Sequence, residues 1–378
     1  MLSASKKLNS HDESQLELEE AVYFIDEPDS GGVFILWIIP MILTVFGIVV
    51  IASMTGWNLN SPGMKQAIWF VISLGAFVVM TQIPLRFWYK YSFVFLIVAL
   101  GLIALTVFSP LRVSVKGASR WIRLGPINFQ PLEIVSFMLM IHLSKVYLRI
   151  KNSFGALILT GVVLAPFFVI IMLQPDFGGL LMLIGIVGAL FVESYGMFWP
   201  IVGIVAGSPV LYFIANQGYR AQRIMTWLDP WSDPLGAGYQ VIQGLIAFAN
   251  GRIWGIGLGR GQQFLPEVHN DFIFPAIGEQ LGLAGTMTIF MLFLVWTVST
   301  YVAYKNARPR RRILIWGCCA AVLMPFFINL GGVMKIIPLT GMPLPFISYG
   351  GTSLVFMWAR IGLLIRLISE PEDDMEDY

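Results

Sequence analysis

Charge is scarce in this chain of 378 residues, and acidic charge is scarcest in its middle. Only 12% of the residues are charged while 57% are hydrophobic, a balance that excludes a water-soluble globule. Of the 22 acidic residues, eight lie before residue 31 and six after residue 369. The long body between them keeps only Glu133, Asp176, Glu193, Asp229, Asp233, Glu267, Asp271 and Glu279. Cysteine is almost missing. Cys318 and Cys319 are adjacent inside an apolar run, where neighbours point to different helix faces, so a disulfide between them is excluded and the redox compartment is not legible. No metal-ligand spacing occurs, and no nucleic-acid partner is expected. The N-terminus lacks the basic-then-apolar layout of a cleavable signal, so the first span is expected to remain as an anchor.

What fills the sequence instead is a series of apolar runs, each long enough to cross a bilayer as a helix. They fall at roughly 32–53, 64–84, 92–109, 132–149, 156–173, 178–193, 199–215, 275–301, 312–333 and 350–369. The predicted fold is therefore an all-α polytopic membrane protein with ten transmembrane helices. Ten spans put both termini on one side. Loops carrying Arg86 and Lys90, then Lys145, Arg149 and Lys151, then Lys305, Arg308, Arg310, Arg311 and Arg312 share that side, which makes it cytoplasmic. The expected organisation is an acidic cytoplasmic tail over 1–31, a ten-helix domain over 32–369 and a second acidic tail over 370–378.

Three sizeable loops face the other way, at 110–131, at 216–274 between the seventh and eighth spans, and at 334–349. They ought to be poor in cations, yet they hold Arg112, Lys116, Arg120 and Arg123, then Arg220, Arg223, Arg252 and Arg260, then Lys335. With 22 basic residues against eight acidic ones, the body suits an anionic ligand or anionic lipid headgroups. The loops also mix tryptophan with turn residues, as in Met225-Thr226-Trp227-Leu228-Asp229-Pro230-Trp231, which suits segments lying in the interface. The glycine-rich Gly255-Ile256-Gly257-Leu258-Gly259 has neither the spacing nor the preceding strand of a dinucleotide site, and reads as a tight, close-packed excursion.

The segment from Asn329 to Ser353 carries three prolines and five glycines among mostly apolar residues. A continuous helix is forbidden there, so the reading is broken backbone at membrane depth, lining a cavity. Upstream, Leu265-Pro266-Glu267-Val268-His269-Asn270-Asp271-Phe272 leads from the large loop straight into an apolar span. Asp271 belongs at the mouth of that helix, either as a helix-start cap or as a functional carboxylate at the edge of hydrocarbon. Asp176 after Gln174-Pro175 reads as a cap or turn residue, His142 as a core histidine, and Arg360 in the last span as paired or facing a cavity.

Taken together, Pro338-Leu339-Thr340-Gly341-Met342-Pro343-Leu344-Pro345-Phe346-Ile347-Ser348-Tyr349-Gly350-Gly351-Thr352 and the Leu265–Phe272 stretch resemble the signature of the SEDS family of cell-wall proteins, the FtsW, RodA and SpoVE group. Ser119-Arg120-Trp121-Ile122, Gln130-Pro131-Leu132-Glu133, Gln174-Pro175-Asp176-Phe177-Gly178-Gly179 and Gly238-Tyr239-Gln240 match as well, in family order. The Gly257-Leu258-Gly259 run looks more like the FtsW branch than the RodA branch. The resemblance implies a peptidoglycan glycosyltransferase of the bacterial cytoplasmic membrane that polymerises lipid II, with its active site facing outside. It implies a class B penicillin-binding protein as transpeptidase partner, alongside other divisome or elongasome membrane proteins and membrane lipids. It also implies that Asp271 matches an aspartate essential in the family. The chain departs from the pattern at Asn270, where threonine is usual, and at Ser136, where the family usually has lysine. Lys116, Lys145 and Lys335 are the candidates to replace that cation.

The chemistry implied is attack by a sugar hydroxyl on an anomeric carbon while a polyprenyl pyrophosphate leaves. Asp271 is the candidate general base. Lys116, Arg120, Trp121, Arg123, Arg220, Glu267, His269, Lys335 and Ser348 are candidates for substrate contact. Glu133 and Glu279 are candidates too, with ion-paired structural roles equally open. No cofactor is required by the reading, and a divalent cation on the carboxylates stays open. A flippase for a lipid-linked precursor and a non-catalytic scaffold for a transpeptidase are the alternative functions.

Overall fold

A computed structural model of the chain describes residues 30–115, 118–125, 127–215, 218–261 and 267–369. Both acidic tails, apart from the first tail's last two residues, and Lys116 lie outside the described residues. Helices α1 (Ser30–Thr55), α2 (Pro62–Gln82) and α3 (Leu85–Phe108) open the fold. A three-stranded antiparallel sheet follows, with β1 (Arg112–Val115), β2 (Ala118–Leu124) and β3 (Ile127–Phe129) in that order. The bundle resumes with α4 (Pro131–Arg149), α5 (Ser153–Leu173), α6 (Phe177–Tyr195) and α7 (Phe198–Ala215). The large loop contains α8 (Gly218–Leu228), a short 3-10 turn (Pro230–Ser232) and α9 (Tyr239–Gly251). Helices α10 (Ile273–Asn306), α11 (Pro309–Val333) and α12 (Gly351–Ser369) close the fold.

Among the described residues, nine helices are long and apolar enough to cross a membrane: α1 to α6 and α10 to α12. The remaining expected span, α7, contributes a shorter apolar stretch over Phe198–Ser208. Their starts follow local chemistry. Ser61, Asn152 and Asp176 each accept a backbone N–H of the following turn, so α2, α5 and α6 are capped by side-chain oxygens. The chain is a helical polytopic protein as expected, and the stretch 110–131 adds a small sheet where a plain loop was expected. Val113 pairs with Trp121 and Ile122 with Phe129, so its β-branched and aromatic residues build a small sheet that turns at Gly125 with φ +62°.

The eighth expected span is likewise not one rod. Within α10, Gly282 has φ 67° and ψ −164°, which splits the helix. The glycine-rich excursion repairs the break. Leu283 and Ala284 donate N–H bonds to the carbonyls of Arg252 and Ile253 at 2.8 and 3.0 Å, and Ile256 and Gly257 donate to those of Glu279 and Gln280 at 3.0 Å each. A Cβ on Gly255 would sit 2.2 Å from the Gln280 carbonyl oxygen, so only glycine permits this approach.

The irregular segment between α11 and α12 is folded into the protein rather than left in lipid. Trp358 of α12 packs edge-on to Phe77 and Phe346, and the stacked pair Phe293–Phe326, 4.2 Å apart, ties α10 to α11. Helix α1 approaches the segment closely, because a Cβ built on Gly47 would lie 2.4 Å from the Ile347 carbonyl oxygen and 2.7 Å from its Cα. Gly47→Leu is therefore expected to lower stability by about 1–3 kcal/mol through overpacking against backbone that cannot yield. A melting curve of the detergent-purified protein checks this, and an unchanged midpoint would contradict the packing.

Candidate functional site

Four pieces of chain meet where the sheet, the start of α6, the start of α10 and the irregular segment adjoin. Asp271 ends the large loop two residues before α10 begins and is 9% exposed. Its position is set from α11. Asn329, itself buried, donates through Nδ2 to the Asp271 carbonyl at 2.9 Å and to the Met342 carbonyl at 2.7 Å. One amide thus holds the aspartate's backbone and the irregular segment together. The carboxylate lies just ahead of the N-terminal, positive end of α10.

Facing Asp271 is Arg120 on β2. The place a Cβ would take on Gly341 is 3.6 Å from Asp271 Oδ2 and 3.9 Å from Arg120 Nη1, so both side chains border one small space beside that glycine. Gly341 has φ +75°, a backbone state that suits glycine alone. The guanidinium is held elsewhere by its other nitrogens. Its Nε stands 3.3 Å from Asp176 Oδ1, an ion pair without hydrogen-bond alignment, and Nη2 donates to the Pro175 carbonyl at 3.3 Å. Asp176 therefore does more than cap α6.

The remaining candidates separate. Trp121 pairs with Val113 in the ladder and Arg123 is exposed, whereas Arg120 falls at the register shift opposite Val113 and Ser114 and stands outside the regular alternation of β2. The side chain of Arg220 lies outside the described residues. Lys335 donates from Nζ to the Leu228 carbonyl at 3.3 Å, tying the irregular segment to α8. Ser348 donates to the Asn270 carbonyl at 2.6 Å and accepts the Leu344 N–H at 2.8 Å. Glu267 bonds Asn270, and the His269 carbonyl accepts the Tyr349 N–H at 2.7 Å. Glu279 is buried two turns into α10, where it accepts from Asn250 at 3.3 Å. Glu133 is buried in an ion pair with Arg360. Positive φ values at Glu267 (56°), Lys335 (61°) and Phe346 (64°) show backbone strain gathered around the same region. Among the described residues, no three His, Cys, Asp or Glu side chains gather into a metal site.

A family model described as "Cell cycle protein", that of FtsW, RodA and SpoVE, matches residues 33–372. The chain belongs to the FtsW/RodA/SpoVE family. It is 33% identical over 330 residues to a "Probable peptidoglycan glycosyltransferase FtsW" of Pseudomonas fluorescens (strain SBW25), covering 84% of this chain and 81% of that protein. Among solved structures it resembles a chain from work described as "Structural coordination of polymerization and crosslinking by a peptidoglycan synthase complex". That match has a TM-score of 0.76 at 23% identity, covering 90% of this chain and 98% of the other. It also resembles Thermus thermophilus RodA, with a TM-score of 0.64 at 22% identity, covering 90% and 97%. These structures establish the fold, a polytopic helical membrane protein.

Within this FtsW/RodA/SpoVE chain, sequence reasoning missed Asn329 and underrated Asp176. The signal for Asn329 was legible: an amide inside an apolar helix is costly unless its donors are used. Asn329→Leu would leave the Asp271 and Met342 carbonyls without that donor, at about 1–3 kcal/mol each. The expected result is a clear fall in the melting midpoint, and an unchanged midpoint would show that the bridge is dispensable.

His269 gives a second test. Its pKa is held below 6.5, first by burial, with the nearby Glu267 opposing. The unfolded chain then binds the proton more readily, so this group's contribution to stability falls as pH drops below about 6.5 toward the lower folded value. Melting midpoints of wild type and His269→Gln are expected to diverge between pH 7.5 and 5.5, with the wild type losing more. Parallel curves would refute the assignment.

Proposed function

We propose that this chain is a peptidoglycan glycosyltransferase that polymerises lipid II, with Asp271 as general base. Relatives named as probable peptidoglycan glycosyltransferases support the activity. The observation that carries the assignment to Asp271 is its carboxylate beside Arg120 at Gly341, on backbone pinned by Asn329. A sugar hydroxyl is a weak nucleophile at neutral pH. As its oxygen attacks the anomeric carbon of the donor, Asp271 takes its proton and the bond to the pyrophosphate breaks. One displacement inverts that centre, turning an α-linked donor into a β-linked polymer. Negative charge grows on the leaving pyrophosphate, and Arg120 Nη1 is the nearest cation on the same small space. Asp176 and the Pro175 carbonyl fix the guanidinium, so little reorganisation is needed when that charge appears.

The chain is a membrane protein, and the cations of the short loops support placing it in the bacterial cytoplasmic membrane with both termini inside. The site then opens toward the outer leaflet, where a lipid-linked sugar arrives. Similarity to relatives named FtsW supports a role in septal wall synthesis. The solved complex described as coordinating polymerisation and crosslinking supports a crosslinking partner, which we take to be a class B penicillin-binding protein.

Asp271→Asn keeps the side chain's shape and removes the base. Polymer formation from purified lipid II is expected to fall by about 10²- to 10⁴-fold, with the melting curve nearly unchanged. Wild-type polymer yield from that variant would remove Asp271 from the mechanism. Transfer of lipid II between leaflets without polymer would favour a flippase instead.

A further inference from the structure

Residue 136 is serine where the resemblance leads one to expect lysine, and the helix that carries it has a buried carboxylate one turn earlier. Glu133 in the first turn of α4 is 4% exposed, and Ser136 is 1% exposed. A carboxylate buried to that extent needs a cation or a set of donors. The cation comes from the opposite end of the sequence. Arg360 on α12, also 1% exposed, places Nη1 and Nη2 each 3.2 Å from Glu133 Oε2. Its Nη2 also donates to Ser136 Oγ, whose own hydroxyl donates to the Glu133 carbonyl at 2.9 Å. The guanidinium therefore fills the gap between the glutamate and the serine. Residues three apart share a helix face, so a lysine at 136 would set its ammonium in that same gap.

We infer that Arg360 is the replacement cation for Glu133, entering across the helix interface where serine at 136 leaves room, and that it is a positioning residue for the Asp271 site. The route to the site is a series of contacts. Glu133 fixes the first turn of α4, which also contains Leu132. Leu132 is wedged against the start of α6, where a Cβ on Gly179 would lie 2.3 Å from Leu132 Cδ2 and 2.7 Å from Asp176 Oδ2. Asp176 in turn holds Arg120. Just before α4, the Gln130 N–H is 3.4 Å from Thr352 Oγ1, a second tie between α4 and α12. None of Lys116, Lys145 and Lys335 is needed for the role. Lys116 lies outside the described residues, Lys145 donates to the Tyr89 carbonyl at 2.6 Å and Lys335 reaches Leu228.

The inference rests on the polymerase reading for its kinetic consequence, but its charge logic can be tested without it. The experiment compares wild type, Arg360→Met, the double variant Arg360→Met/Ser136→Lys, and the uncharged double variant Glu133→Gln/Arg360→Met. Each is purified in detergent, melted, and assayed with lipid II for kcat and KM. Arg360→Met strands a buried carboxylate and is expected to melt several degrees lower. Its kcat is expected to fall about 10- to 100-fold with KM little changed, as a displaced Arg120 would cause. Restoring the cation with Ser136→Lys should return both the midpoint and kcat, the latter to within about threefold of wild type. The uncharged pair should regain the midpoint while kcat stays low, because burial is relieved but the tie is not. A wild-type kcat in Arg360→Met, or a Ser136→Lys double variant that regains the midpoint without kcat, overturns the positioning role. A double variant that regains neither overturns the replacement itself. Should wild type make no polymer, the function proposed above fails, and the melting comparison still decides whether a lysine at 136 and Arg360 are interchangeable.

Discussion

Backbone that is neither helix nor strand must find its hydrogen bonds within the protein when spanning helices surround it, because hydrocarbon offers none. The 334–350 segment meets that requirement through a few side chains. Gln66 of α2 donates to the Ser348 carbonyl at 2.9 Å and accepts the Gly350 N–H at 3.2 Å, so one buried amide serves both a donor and an acceptor. Asn329 serves the Met342 carbonyl and Arg223 the Leu339 carbonyl, while Trp227 of α8 donates to the Lys335 carbonyl. Several of these bonds run to the loop before α10 rather than back to the segment itself. Tyr349 bonds His269, Ser348 bonds Asn270 and Asn329 bonds Asp271. The irregular segment and the aspartate are in effect one hydrogen-bonded unit, and the solution to a solvation problem is also what fixes the site.

This explains which parts of the protein were legible in its sequence. Span positions follow from hydropathy, and the broken character of 334–349 follows from proline and glycine alone. Asp271 stood out because a carboxylate at a helix mouth is costly in lipid. What failed to show was anything that depends on register or on a distant partner. The sheet over 112–129 rests on strands of four, seven and three residues, too short for a periodic signal to outweigh turn residues. Arg120 and Arg123 look equivalent in sequence, and only the register shift at Arg120, which no local pattern announces, separates the one beside Asp271 from the other at the surface. The break at Gly282 reads as one more glycine in an apolar run until the 252–257 excursion is seen to pair with it.

The pairing of Glu133 with Arg360 is a similar case at long range. Two charges 227 positions apart leave no local pattern, although each alone signals that a partner must exist. An ion pair buried this deeply adds little net stability, since desolvating both groups offsets most of their attraction. Its physical weight is in specificity. With one partner gone, the other is left charged in the helix interface, so α4 and α12 have a single register in which both are satisfied.

The same distinction bears on the cations of the loop-bearing end, which the composition reads as suited to an anion. A carboxylate partner offsets a cation's charge, as Asp176 does for Arg120. A carbonyl partner orients the cation and leaves its charge intact. Arg112 and Lys335 are of the second kind, bonding the carbonyls of Val107 and Leu228 at 3.3 Å each. They tie the loops and keep a positive field whose range is about 8–10 Å at physiological ionic strength. Arg120, flanked by Asp176 and Asp271, cannot by itself make that space electropositive toward a pyrophosphate. Under the proposed function, attraction for that group has to draw on cations whose partners are carbonyls rather than carboxylates, which is a reason for basic residues in loops where topology alone would disfavour them.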